Sequence, residues 1–288
     1  MWKRLPLPAA VALALVLGLA AGEGIAERAA PPPAARPTPP TTAPRARDPE
    51  PKPRPSTEVV ASFTTRYEPG QPRVTNIRRA AELLDETVLP PGARFSMNEA
   101  LGERTLDRGF VAAPMVSGGR LVDSVGGGIS QVATALYNAA FFAGLELVER
   151  TPHSFYIDRY PAGREATISW GGPELVFRND WPSPLRMRLR TTPTSLTVRL
   201  YSARLGRRVE TETLTPYGHV QPRTITVTNG TLEPGAHVVV QEAGAAGFTV
   251  EYTRRVYRFG DLIRDERFRT RYEPKNAIVE VPPGTPRD

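Results

Sequence analysis

The chain has 288 residues and a formal net charge of +7, from 37 Lys and Arg against 30 Asp and Glu. It contains no cysteine and only three histidines, which excludes disulfides, thiolate metal sites and cysteine catalysis within it. Residues 1–56 carry eight basic and four acidic side chains, more than half of the excess, so the remainder lacks the basic footprint of a nucleic-acid binder.

Lys3 and Arg4 precede an apolar run that ends in small residues near Ala20, Ala21 and Gly22. Residues 1–28 thus read as a secretory signal peptide or, if uncleaved, a signal anchor that makes the membrane a partner. The expected location is extracytoplasmic, secreted or anchored at the cell envelope. Residues 29–56 hold eleven prolines and form a stiff, extended linker. A first folded domain is expected over 57–204. Residues 58–66 alternate as a strand, and 74–84 place Ile77, Ala80, Ala81 and Leu84 at helical spacing. A Pro90-Pro91-Gly92 turn leads to a short strand at 94–97, and 116–122 read as a hairpin with Ser117-Gly118-Gly119-Arg120 at its tip. A second helix follows three glycines and ends at Gly144. Strands are expected at 145–149, 166–170, 175–178, 185–191 and 195–200. The predicted class is α+β, a mixed or antiparallel sheet with two main helices. A small all-β module over 205–282 follows, with spaced glycines at 230, 235, 244, 247 and 260, and residues 283–288 form a tail.

Gly126-Gly127-Gly128 is the feature that points to function. A run of three glycines marks a sharp bend or a close approach to the backbone. The helix that follows has an apolar stripe, Val132, Leu136, Ala139 and Ala143, and a polar face, Ser130, Thr134, Tyr137 and Asn138. Ser130 at the helix start lies at the positive end of the dipole, a place for a nucleophile or an anion. The next histidine is His153, and Glu165 follows it. A nucleophile at a helix start, then a histidine, then a carboxylate is the chain order of papain- and transglutaminase-like enzymes. In that reading His153 takes the proton of Ser130 and Glu165 fixes the imidazole tautomer. Two other readings stand beside it: Ser130 as a helix N-cap, and a pocket without chemistry that holds a ligand carboxylate. The candidate binding residues are Asn98, Gly126, Gly127, Gly128, Gln131, Thr134, Tyr137, Asn138 and Arg164. No metal spacing is present, and no cofactor is expected. Two arginine ladders, Arg186/Arg188/Arg190 and Arg267/Arg269/Arg271, read either as an anionic-polymer surface or as solvated sheet faces.

Several ordered blocks resemble the VanW family. They are Asn76-Ile77 with Ala80-Ala81, Val88-Leu89-Pro90-Pro91-Gly92 through Phe95-Ser96-Met97-Asn98, Arg108-Gly109-Phe110, Leu121-Val122-Asp123, Leu136-Tyr137-Asn138-Ala139-Ala140, Pro152-His153-Ser154 and Gly163-Arg164-Glu165-Ala166-Thr167. The resemblance implies an exported, wall-associated protein. Many members carry Cys where this chain has Ser130 and Asp where it has Glu165. The region after Gly206 resembles a five-glycine β module found beside wall-active domains. Together these imply an envelope accessory protein that binds peptidoglycan or another wall polymer. The alternatives are an acyl-transfer or hydrolytic enzyme using Ser130, His153 and Glu165, and a purely structural tether.

Overall fold

The computed structural model describes residues 58–117, 120–203, 206–212 and 214–285. The expected leader, the linker, the two glycines of the hairpin tip and the last three residues lie outside the described residues.

Strand β1 (Val59–Arg66) leads to helix α1 (Pro72–Leu84). Pro72 at the first helical positions has the φ a helix needs and no N–H to leave unpaired. Val74, Ile77, Ala80, Ala81 and Leu84 form its buried stripe. The pair β2 (Val88–Leu89) and β3 (Arg94–Ser96) precedes a one-turn helix α2 (Met97–Leu101), N-capped by the Ser96 hydroxyl, which accepts the Glu99 N–H at 3.2 Å. Hairpin β4 (Ala112–Ser117) and β5 (Arg120–Val125) runs into the glycines and then α3 (Ser130–Phe142). Gly144, with φ +69°, closes α3: its N–H bonds Phe141 O, and the Leu145 N–H bonds Ala140 O. Next come β6 (Glu146–Arg150), β7 (Leu175–Arg178), β8 (Leu185–Thr191) and β9 (Ser195–Tyr201).

The first four-stranded sheet has the order β1-β9-β8-β2, and every pairing in it is antiparallel. Leu185, Met187 and Leu189 alternate inward with Leu196, Val198 and Leu200, and α1 and α3 pack on these strands. A smaller sheet, β3-β7-β6, stands beside α2 and α3. Strands β10 (Arg207–Thr211), β11 (Tyr217–Val220), β12 (Thr224–Thr228), β13 (Val238–Gln241), β14 (Gly247–Arg258), β15 (Asp261–Tyr272) and β16 (Ala277–Val281) complete the order. Strand β14 pairs with β15 along one edge and with β10 and β11 along the other, while β16 lies between β12 and β13.

The β14–β15 ribbon shares a core with α3. Arg254 is fully buried, and its guanidinium sits 4.8 Å over the Phe141 ring. It donates to the carbonyls of Phe141 (3.1 Å) and Leu145 (2.9 Å) and pairs with Glu266 at 2.8 Å. A cation thus meets carbonyls at the negative end of the helix. Tyr252 Oη donates to Gly163 O at 2.8 Å, and the Gly163 N–H donates to Tyr272 Oη at 2.6 Å.

The α+β expectation is corrected. The fold is mainly β, 42% strand against 14% helix, spread over five sheets among the described residues. Two helical stripes stand out in the sequence because each is one contiguous signal, whereas the sixteen strands, most of them seven residues or fewer, together outweigh them. Residues 166–170 are not a strand; they make a single bridge, Thr151 to Thr167, and the Ile168 N–H turns to the Ser130 hydroxyl instead.

Candidate functional site

Each glycine of the run is required for its own reason. Gly126 and Gly128 have φ of +87° and +90°, which L side chains rarely adopt. A Cβ on Gly126 would meet Arg104 Cβ at 2.9 Å, and one on Gly128 would meet Arg73 Cβ at 2.6 Å. On Gly127 it would stand 2.0 Å from the Ala113 carbonyl oxygen. The turn is therefore a saddle over which two arginine side chains lie. Buried Asn76 clamps it from α1, donating to Gly127 O and Val111 O at 2.9 Å each and accepting the Val111 N–H at 2.8 Å.

Ser130 is the first helical residue rather than the cap. Ile129, in αR geometry, occupies the cap position without a side-chain hydrogen bond, which corrects the N-cap reading. The Ser130 hydroxyl accepts the Ile168 N–H at 3.4 Å. It opens onto a cleft of about 1010 Å³, shared with Gly126, Gly128 and His153. His153 is 5% exposed, its Nδ1 has no hydrogen-bond partner, and its ring stacks on Tyr160 at 5.5 Å. Burial pulls its pKa down to about 4, so the imidazole is neutral at pH 7.

Glu165 lies elsewhere. It is 2% exposed, does not line the cleft, and accepts the Tyr272 hydroxyl at 2.7 Å. Burial raises its pKa, opposed by the Tyr272 hydrogen bond and the charge of Arg150. Among the described residues, no side-chain hydrogen bond joins Ser130 to His153 or the His153 ring to Glu165; Glu165 meets His153 only at its backbone N–H. The cleft brings the first two together and leaves the third against β15.

The remaining expected binding residues mostly face inward. Asn98 donates to the carbonyls of Ser169 and Pro173 and accepts from Arg104 at 2.6 Å. Gln131 is fully buried, accepting from Arg73 at 2.8 Å and donating to Arg66 O at 2.8 Å. Thr134 accepts the Ala166 N–H at 3.1 Å, and Asn138 donates to Thr134 O and Arg164 O. Tyr137 is buried under the Arg150 guanidinium, 5.2 Å from its ring centre, and Arg164 stacks on Phe142 at 5.2 Å. The polar face of α3 is thus an internal network that carries the 163–168 segment.

The cleft also has walls absent from the sequence expectations: Arg73, Arg104, Tyr156, Tyr160, Trp170 and Lys275. Trp170 is 54% exposed. An exposed tryptophan has a local signature, but the two arginines reach the glycine run from distant points of the chain. No group of three or more His, Asp or Glu is placed to hold a metal among the described residues. The arginine ladders are ion-paired: Arg186 with Glu86, Arg188 with Glu86 and Asp85, Arg190 with Asp85, Arg267 and Arg269 with Glu251, and Arg271 with Glu273.

A glycine saddle beneath a cationic and aromatic cleft, on a mainly β scaffold, is the frame for comparison with other proteins. Residues 72–201 match the family model described as VanW like protein, so the resemblance carried by the sequence blocks holds over that span. The uncharacterized protein YoaR of Bacillus subtilis is 37% identical over 149 residues, 51% of this chain and 49% of its own. The vancomycin B-type resistance protein VanW of Enterococcus faecalis is 28% identical over 115 residues, 38% of this chain and 41% of its own. The chain therefore spans about half the length of the curated relatives it matches. Two solved G5 structures, HP0197-G5 and the IgA1 protease G5 domain, match 26% and 27% of the chain at 17% and 24% identity, with TM-scores of 0.15 and 0.16 and coverage of 95% and 89% of their own chains.

Proposed function

We propose that this is an envelope protein that binds peptidoglycan-related material in the cleft at the start of α3. Kinship with VanW is compatible with a cell-wall setting, and the charged-then-apolar start of residues 1–28 supports export. No helix among the described residues is long and apolar enough to cross a membrane.

The observation that carries the reading is the composition of the cleft. Tyr156 and Trp170 offer aromatic faces for sugar rings or peptide side chains, and Arg73, Arg104 and Lys275 offer donors to carboxylates. A mostly apolar concavity with a few convergent polar groups is the usual form of a small-ligand site. Chemistry is disfavoured by magnitude. A general base works best with a pKa near the operating pH, and His153 at about 4 is roughly three units too weak at pH 7. The acyl-transfer reading keeps one supporting observation, that Ser130 and His153 both line the cleft.

The test is co-sedimentation of the purified chain with isolated sacculi. Wild type is expected in the pellet, and a Trp170→Ala, Tyr156→Ala double variant should bind about tenfold more weakly. Equal pelleting by the double variant, or none by wild type, overturns the reading. Release of new amines from wall peptides that disappears in Ser130→Ala favours the enzyme instead.

A further inference from the structure

The two arginines laid over the glycine saddle have only neutral hydrogen-bond partners. Arg73 donates to Gln131 Oε1 at 2.8 Å and to Tyr160 Oη at 3.5 Å, both neutral, and its Nε is buried without a partner. Arg104, 9% exposed, donates to Gly102 O at 2.9 Å and Asn98 Oδ1 at 2.6 Å, again neutral groups. Neither forms an ion pair among the described residues. Glu174 is near enough to favour the charged form of Arg104, but it is already held by the Ser96 hydroxyl and the amides of Asn98 and Leu175. Burial draws the Arg104 pKa down to about 10, which leaves it cationic at neutral pH. Arg104 is buried and Arg73 half-buried, and both are hydrogen-bonded only to neutral groups, so an anion placed beside them would gain charge-assisted hydrogen bonds.

We propose that the inner end of the cleft is a carboxylate pocket, with Arg73 and Arg104 as its jaws over Gly128 and Gly126 and the start of α3 as its floor, and that its ligand is the free C-terminal carboxylate of a peptide. The inference rests on the cleft reading above and names the ligand class of that site. α3 has thirteen residues, so its N-terminal turn presents a full dipole, and the amides of Gly128 and Ser130 have no partner within the described chain. His153 is an independent pointer. It is buried, it lines the same cleft, and its Nδ1 has no hydrogen-bond partner. Free phosphate shares the oxyanion chemistry. The peptide is favoured because the cleft is far larger than a phosphate, continues along Phe155, Tyr156 and Trp170, and has Glu103 and Asp158 among its lining residues, which disfavour a dianion.

Calorimetric titration of the whole chain tests this with N-acetyl-alanyl-alanine, its C-terminal carboxamide and inorganic phosphate. The free acid should bind at least about tenfold more tightly than the carboxamide, consistent with charge-assisted hydrogen bonds, and more tightly than phosphate. Arg73→Gln should abolish the preference for acid over amide. Equal binding of acid and amide by wild type overturns the pocket without any variant having to fold. So does tighter binding of phosphate, which makes the site a free-ion site, or no binding of the acid at millimolar concentration. Sacculus binding separates the two claims. If sacculi pellet the chain and acid and amide bind alike, the pocket fails and the cleft reading stands. If the acid preference holds and sacculi are not bound, the reverse is true.

Discussion

His153 spends its buried life neutral, and this sets a pH signature. Its ordinary pKa of 6.5 falls to about 4 in the folded chain. Between those values the unfolded chain binds a proton that the folded chain refuses. Its stability contribution is therefore present above pH 6.5 and is lost as pH falls toward 4. Glu165 acts in the opposite sense. Its raised pKa keeps a proton on the folded chain, so its contribution weakens as pH rises above its ordinary 4.5. The wild-type slope mixes the two, so the informative quantity is the difference from His153→Gln in urea unfolding. From pH 7 to 4.5 wild type should lose roughly 2–3 kcal/mol more than the variant; parallel pH profiles contradict a neutral buried imidazole. The glycines separate as sharply. Gly127→Ala drives a Cβ into the Ala113 backbone and should cost about 3 kcal/mol or more in the same assay. Gly230→Ala meets nothing within 4 Å and should fall within about 0.5 kcal/mol of wild type.

At the scale of elements, α3 is held at both ends by side chains from elsewhere. Its start rests on the Asn76 clamp, and its end is closed by Arg254 from β14. Arg254→Met leaves the Phe141 and Leu145 carbonyls and Glu266 without their partner, and should cost about 2–4 kcal/mol. Hydrogen exchange should quicken in the last turn of α3 and in β14 together; acceleration in β14 alone would contradict the coupling. The same elements show what was readable from sequence. The apolar spacing over 74–84 and Gly144 after the second stripe are local signals, and both helices lie there, with α1 starting two residues earlier than expected, at Pro72. The five-residue α2 and two-residue β2 are too short to show a period. Strand β16 owes its place to parallel pairing with the distant β12, which no local pattern encodes. Two residues of the glycine run line the proposed cleft, but Ser130 is not a cap, because Ile129 already turns as helix and the hydroxyl accepts the Ile168 N–H. Thr134 and Asn138 share a polar helical face with Ser130, yet they bond to the 164–166 backbone rather than to the cleft.

For the whole molecule, the expected two-helix α+β domain with a small β appendage gives way to a mainly β chain whose last long strands complete the packing around α3. The two arginine ladders are ion-paired with Asp85, Glu86, Glu251 and Glu273, so a row of arginines on a strand is a poor guide to where a ligand sits. The proposed pocket depends instead on Arg73 and Arg104, brought to Gly128 and Gly126 by folding alone. The central claim is that wall fragments enter this cleft. Its most direct test is a titration of the isotope-labelled chain with soluble disaccharide-peptide fragments of peptidoglycan, followed by amide and indole chemical shifts. The account predicts saturable changes concentrated at Gly126, Gly128, Ser130, Tyr156 and the Trp170 indole. Saturable changes confined to other surfaces, or none at millimolar fragment, would contradict it.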